Sequence, residues 1–128
     1  MLFHGKLLYD RIDYNKAMKF VNGTSFVGEI NIEPSKLVEA FGNPDPTGED
    51  KVSGEYVFLS EDEKAVFTLY DWKWTTLYDE TNPFTPEEFW KHTEKLSLNI
   101  GGHNDVALPH FKRWIKFASK QITKFNRI

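Results

Sequence analysis

The chain has no cysteine in its 128 residues, which removes disulfides, thiolate nucleophiles and cysteine-ligated zinc. Histidine is scarce, with only His4, His92, His103 and His110. The spacing His103-x6-His110 is not a standard zinc pattern, and Asp105 is the one carboxylate close to either of them in sequence. No apolar run approaches a membrane span, and the opening MLFHGKLLYDR lacks the apolar stretch of a signal sequence. A soluble protein working inside a cell, with no membrane partner, is the expectation. Also missing are the phosphate-loop glycine pattern with its lysine, the usual nucleic-acid recognition motifs and a recognisable catalytic constellation. The expectation is therefore a non-enzyme, with no catalytic residue, metal or cofactor assigned and nucleic acid disfavoured as a partner.

What is abundant is aromatic surface: 11 Phe, 5 Tyr and 4 Trp, in a chain whose hydrophobic content of 40% argues against disorder. The length suits a single domain, 1–128, with a genuine core. The formal charge of −3 hides a division. Residues 29–94 carry five basic and sixteen acidic groups, whereas residues 95–128 carry seven basic groups and one acidic group. Such a bipolar chain is either a solvated accident or a means of steering a charged partner or aligning copies of itself.

The stretch Val52–Tyr78 organises the fold. Val52, Gly54, Tyr56 and Phe58 alternate with Ser53, Glu55, Val57 and Leu59, and a second strand follows the charged turn 60–64. That second strand is apolar on both faces (Phe67 and Leu69 against Val66 and Tyr70), so it reads as an inner strand. In TSFVGEINI, 24–32, Phe26, Gly28, Ile30 and Ile32 alternate against Ser25, Val27, Glu29 and Asn31. The interior glycine there points to a bulge or a close backbone contact. Pro34 starts a short helix whose stripe is Leu37, Val38 and Phe41, stopped by Gly42. Thr85-Pro86-Glu87-Glu88, inside an acidic insertion at 79–95, has the pattern of a capping box. Leu96, Leu98 and Ile100 alternate as another strand. The longest periodic segment is the last, where Leu108, Phe111, Ile115, Ala118, Ile122 and Phe125 form one side. Lys112, Arg113, Lys116, Lys120, Lys124 and Arg127 lie on or near the other. Trp114 and Phe117 fall outside that stripe and are candidates for contact with the N-terminal segment or another subunit. Residues 1–22 fit either part strand or a loosely held arm.

Three groups of residues carry functional readings. If the second strand continues past Tyr70, Trp72 and Trp74 share a face and Lys73 the other; either one indole closes the core edge while the other covers the following loop, or they form a stacking or binding surface. Gly101 and Gly102, with His103 behind them, could expose backbone amides to an anion before the last helix. Lys116, Lys120 and Lys124 form a basic face, read either as solvated or as a contact for an acidic surface. Glu55 and Asp71, on adjacent strands, give a third and weaker option, a carboxylate pair for a small hydrolase.

Four segments, GTSFVGEI, LVEAFGNPDPTGEDKVSGEYVF, AVFTLYDWK and LNIGGHNDVAL, resemble a family of small proteins encoded by tailed phages and large DNA viruses. The family pattern is an FG-x-P turn before a K-V/T-x-x-E-W strand, a following strand ending Y-D/N-W-K and a W-x-I-G-G strand end leading to the final helix. The resemblance covers roughly residues 23–108. Tyr56 stands at the usual Trp position, Leu98 stands where an aromatic is frequent, and residues 75–95 form a longer connection than the pattern needs. The resemblance implies a viral accessory protein acting in the host cytoplasm, in a role similar to that of host-defence antagonists. These occlude a host protein or sequester a nucleotide signal.

The architecture expected is α+β: an antiparallel sheet of about four strands near 24–32, 52–59, 65–72 and 96–100. A short helix at 34–41 and a long one at 106–125 cover it. The leading function is a non-enzymatic viral protein that binds and inhibits a host protein, using Trp72, Lys73, Trp74, Gly101, Gly102, His103, Lys116, Lys120 and Lys124, with self-association a further expectation. A nucleotide-binding protein is the alternative.

Overall fold

The computed structural model describes the backbone of residues 8–126 and the side chains of residues 8–120. The sheet has five antiparallel strands, β1 (Tyr9–Ile12), β2 (Ser25–Ile32), β3 (Glu55–Ser60), β4 (Val66–Tyr70) and β5 (Leu96–Gly102), in the order β1-β3-β4-β5-β2. The helices are α1 (Tyr14–Val21), α2 (Pro34–Phe41), α3 (Pro86–Trp90) and α4 (Leu108–Asn126). The α+β class holds, with one strand more than alternation alone suggested. No helix of the described residues is long and apolar enough to cross a membrane.

Strand β4 is central because both its faces are apolar. On one face Phe67 and Leu69 join Tyr56, Phe58, Leu98 and Ile100 under α2 and α4. Phe67 stacks on Phe111 with ring centroids 4.6 Å apart. Trp114 is core as well, and it reaches the N-terminal segment through Tyr9, at 5.2 Å between centroids. Burying this many rings, each worth roughly 1.5–3 kcal/mol as a buried side chain, is the main term holding the layers together. The acidic segment contributes to the same core. The Thr85–Glu88 capping box starts α3, which delivers Phe89 and Trp90 to the cluster.

On the opposite face Val66, Val57, Leu59 and Ile12 form a smaller cluster with Ala17, flanked by Phe20 and Val21. The N-terminal segment is therefore an edge strand plus a helix laid on the sheet. Asp13 caps α1 by accepting from the Lys16 amide at 3.0 Å.

Several boundaries differ from the sequence expectation. Strand β3 starts at Glu55, and just before it Gly54 lies where an added Cβ would come within 2.6 Å of Pro44. Strand β4 ends at Tyr70, since Lys73 turns the chain with φ 62°. Strand β5 runs on through Gly102. The final helix begins at Leu108, one residue before Pro109, which sits in its first turn where a missing N–H leaves no bond unmade. Ile122, Lys124 and Phe125 lie outside the described side chains, and His4 and Arg127 lie outside the described residues.

Candidate functional site

Helix α1 covers only part of its face of the sheet. Beside it, over β4, β5 and the start of β2, lies an open cleft of about 270 Å³, lined among others by Phe26, Glu55, Thr68, Tyr70, Trp72 and Gly101. A second hollow of about 160 Å³ shares Glu49, Val52 and Glu55 with it and adds Tyr14, Asp45 and Thr47. Together they form one trench between α1, the loop 45–52 and the far end of the sheet.

The aromatic wall has two sources. Unbroken alternation sets Phe26 on one face with Gly28, Ile30 and Ile32. A register shift between Phe26 and Gly28 instead sets Phe26 opposite Gly101, while Gly28 faces Ile100. Residues opposite one another in an antiparallel pair share a face, so the bulge turns Phe26 to the open side. There it is 56% exposed. Trp72 forms the other rim, 42% exposed and edge-on to Tyr70 at 6.3 Å. The Lys51 and Lys73 ammoniums lie 5.9 and 5.5 Å from its ring centroid.

The floor is acidic. Burial pushes the Glu55 carboxyl up from its ordinary value, and Asp45 and Glu49 add repulsion. Asp45 meets Arg11 Nη2 through Oδ1 at 3.3 Å, while its Oδ2 is buried without a hydrogen-bond donor. Among the described residues no ion pair reaches Glu49 or Glu55, and no group of three or more histidines and carboxylates is placed to hold a metal ion.

The residues singled out from sequence separate into different environments. Trp72 and Trp74 do not share a face, because the turn at Lys73 ends the strand geometry. Trp74 is half-buried, donates Nε1 to Ser97 O at 2.8 Å and packs on Phe84 and Phe89. Gly101 and Gly102 are not a loop before a helix. Both lie inside β5 with a strand on each side. Gly101 is glycine because a Cβ would sit 2.5 Å from Thr68 Oγ1. The anion site expected of them is thereby removed. His103 has a structural contact; its ring Nε2 bonds the Phe20 carbonyl at 2.7 Å and ties the end of α1 to the β5–α4 loop. Lys116 and Lys120 are exposed on α4, near Lys95 and Glu33, on the far side of the sheet from the cleft.

Glu55 and Asp71 do not form a pair. Glu55 stands opposite Tyr70 on the open face, and Asp71 is fully buried toward the other. Its oxygens accept from the Ser53 amide and hydroxyl and the Gly54 amide at 2.8–3.1 Å. Burial pushes its carboxyl up, and these donors offset part of that. Asp71 therefore organises the entry to β3, a structural task. The residues that sequence reasoning missed are Phe26, Asp45, Glu49 and Tyr70. No family model and no curated protein matches the chain.

Proposed function

We propose that the chain is a non-catalytic viral accessory protein that binds a host protein, a component of host defence among the candidates, and occludes part of its surface. The observation that carries the reading is the trench. It presents Phe26 and Trp72, two exposed large aromatic side chains, around one concavity. Neither is needed to close the core, and exposed aromatics around a concavity are the usual anchors of a protein contact. The resemblance of residues 23–108 to small viral proteins supports the viral part of the reading. A nucleotide is a poorer occupant: its phosphates would meet Asp45, Glu49 and Glu55, and the glycine pair has no loop amides to offer.

Affinity capture from host lysate with the wild-type chain, followed by titration of the recovered partner, tests this. Trp72→Ala is expected to weaken binding by about 2 kcal/mol or more while leaving the fold intact. Trp74→Ala should do the reverse, losing about 3 kcal/mol of stability as a large-to-small change in a packed cluster. If Trp72→Ala and Phe26→Ala both bind the partner as tightly as the wild type, the trench is not the contact surface.

A further inference from the structure

Acidic groups on a surface usually have cations beside them or water around them. Glu55 has neither in full. It is partly buried at the floor of the cleft, next to two more carboxylates, and among the described residues no ion pair reaches it. The same hollow is walled by Phe26, Tyr70 and Trp72. Aromatic faces and a carboxylate around one concavity have a shared preference, since both attract a cation that has given up some of its water. Lys51 and Lys73 already lie over the Trp72 ring, so a guest finds its charge contact at Glu55 and apolar contact at the aromatic walls. The cleft of about 270 Å³ is open and lined by carboxylates, so a cationic side chain suits it better than a nucleotide, whose phosphates those carboxylates would repel. Nor are the carboxylates arranged as a metal group.

Resting on the reading of the chain as a protein binder, we propose that the cleft receives one arginine or lysine side chain of the partner, its cationic head on Glu55 and its stem between Phe26 and Trp72. Glu49, which lines both hollows, and Asp45, which lines the smaller one, add to the negative field that draws the cation in. The partner's recognised surface is accordingly basic, and the acidic bias of residues 29–94 serves to steer it.

The test needs no knowledge of the partner. Amide shifts of the full chain are followed by NMR during titration with acetyl-Gly-Arg-Gly-amide and with its neutral citrulline counterpart. The arginine peptide is expected to bind saturably, with Kd about millimolar for so small a probe. Shifts should be confined to Phe26, residues 49–55, Thr68–Trp72 and Gly101, and the citrulline peptide should give none of them. Glu55→Gln should weaken binding by about tenfold or more, as expected for loss of a charge-assisted bond, whereas Lys116→Glu, on the far side of the sheet, should not. Equal binding of the citrulline peptide, or shifts elsewhere, overturns the assignment. So does spermidine binding the cleft far more tightly than the peptide, which would make a free polyamine the occupant. A partner captured through Trp72 by a chain that ignores the arginine peptide overturns this inference and leaves the proposed function standing. Peptide binding through Glu55 with no partner dependent on Trp72 or Phe26 does the opposite.

Discussion

Phe26 stands directly opposite Gly101 across the β2–β5 pair, and the two define the floor and one rim of the trench. The absence of a side chain at Gly101 leaves room for Thr68 on β4, whose Oγ1 would lie 2.5 Å from an added Cβ. A methyl group there must displace the threonine or spread the strands. Gly101→Ala is therefore expected to cost about 1–3 kcal/mol, as overpacking of a close-packed site does. Adding Thr68→Ala removes the colliding oxygen and should restore most of the loss. Urea unfolding of the two single variants and the double variant forms the cycle. A Gly101→Ala protein as stable as the wild type would mean that the β4–β5 spacing is wrong.

The second prediction concerns pH. Glu55 has its carboxyl pushed above the ordinary value by burial and then by Asp45 and Glu49, and Tyr70 is the residue opposite it. A carboxyl with a raised folded-state value is protonated in the folded chain while the unfolded chain is still ionised. Stability should thus rise as pH falls from neutral toward the ordinary carboxylate range, and be lost as pH rises through the folded value. Asp71, also raised by burial, acts in the same direction. The exposed Asp62, Asp79 and Glu87, all lowered by hydrogen bonds, act oppositely and only in stronger acid. Glu55→Gln isolates one contribution. The variant should be more stable than wild type at neutral pH, with the gap closing on mild acidification. Melting temperatures of both proteins across that window check it, and a gap that widens toward acid contradicts the electrostatics.

What sequence could show here follows from local periodicity. Tyr56, Phe58, Phe67 and Leu69 were legible as core because strict alternation on two neighbouring strands has no competing explanation. Leu108, Phe111, Ile115 and Ala118 were legible for the same reason at helical period. Phe26 was not, because a bulge shifts the face of every residue before it and leaves no mark but a glycine. Trp72 and Trp74 share a face only if the strand continues, and one left-handed residue, Lys73, cancels that alternation and leaves Trp74 at the core edge. Helix α1 was obscure because Tyr14 and Met18, exposed in the structure, blur the stripe formed by Ala17, Phe20 and Val21. The trench could not be read at all. Its residues come from β2, the 45–52 loop, β3, β4 and the turn after it, and only the strand order, which places β2 last beside β5, brings them together.

The last prediction comes from where the charges end up. The carboxylates of the trench lie on one side of the sheet, and Lys116 and Lys120 project from α4, which covers the other. Contact between unlike patches on opposite sides is head-to-tail, so it produces rings or open chains of molecules instead of a two-fold dimer. Exposed ion pairs are worth roughly 0.2–1 kcal/mol each and are screened by salt. Self-association by this route should therefore be weak, concentration-dependent and confined to low ionic strength. Sedimentation at low and high salt is expected to show an average mass that rises with concentration only at low salt. Changing Lys116 and Lys120 to Glu should abolish the rise with melting unchanged, since both side chains are exposed. Glu55→Gln separates two versions of the contact. If it abolishes association as fully as the lysine changes do, a lysine from a second copy occupies the cleft. If it does not, the attraction is diffuse and the cleft stays free for a partner. A wild-type chain that sediments as the same monomer at both salts removes the head-to-tail contact altogether.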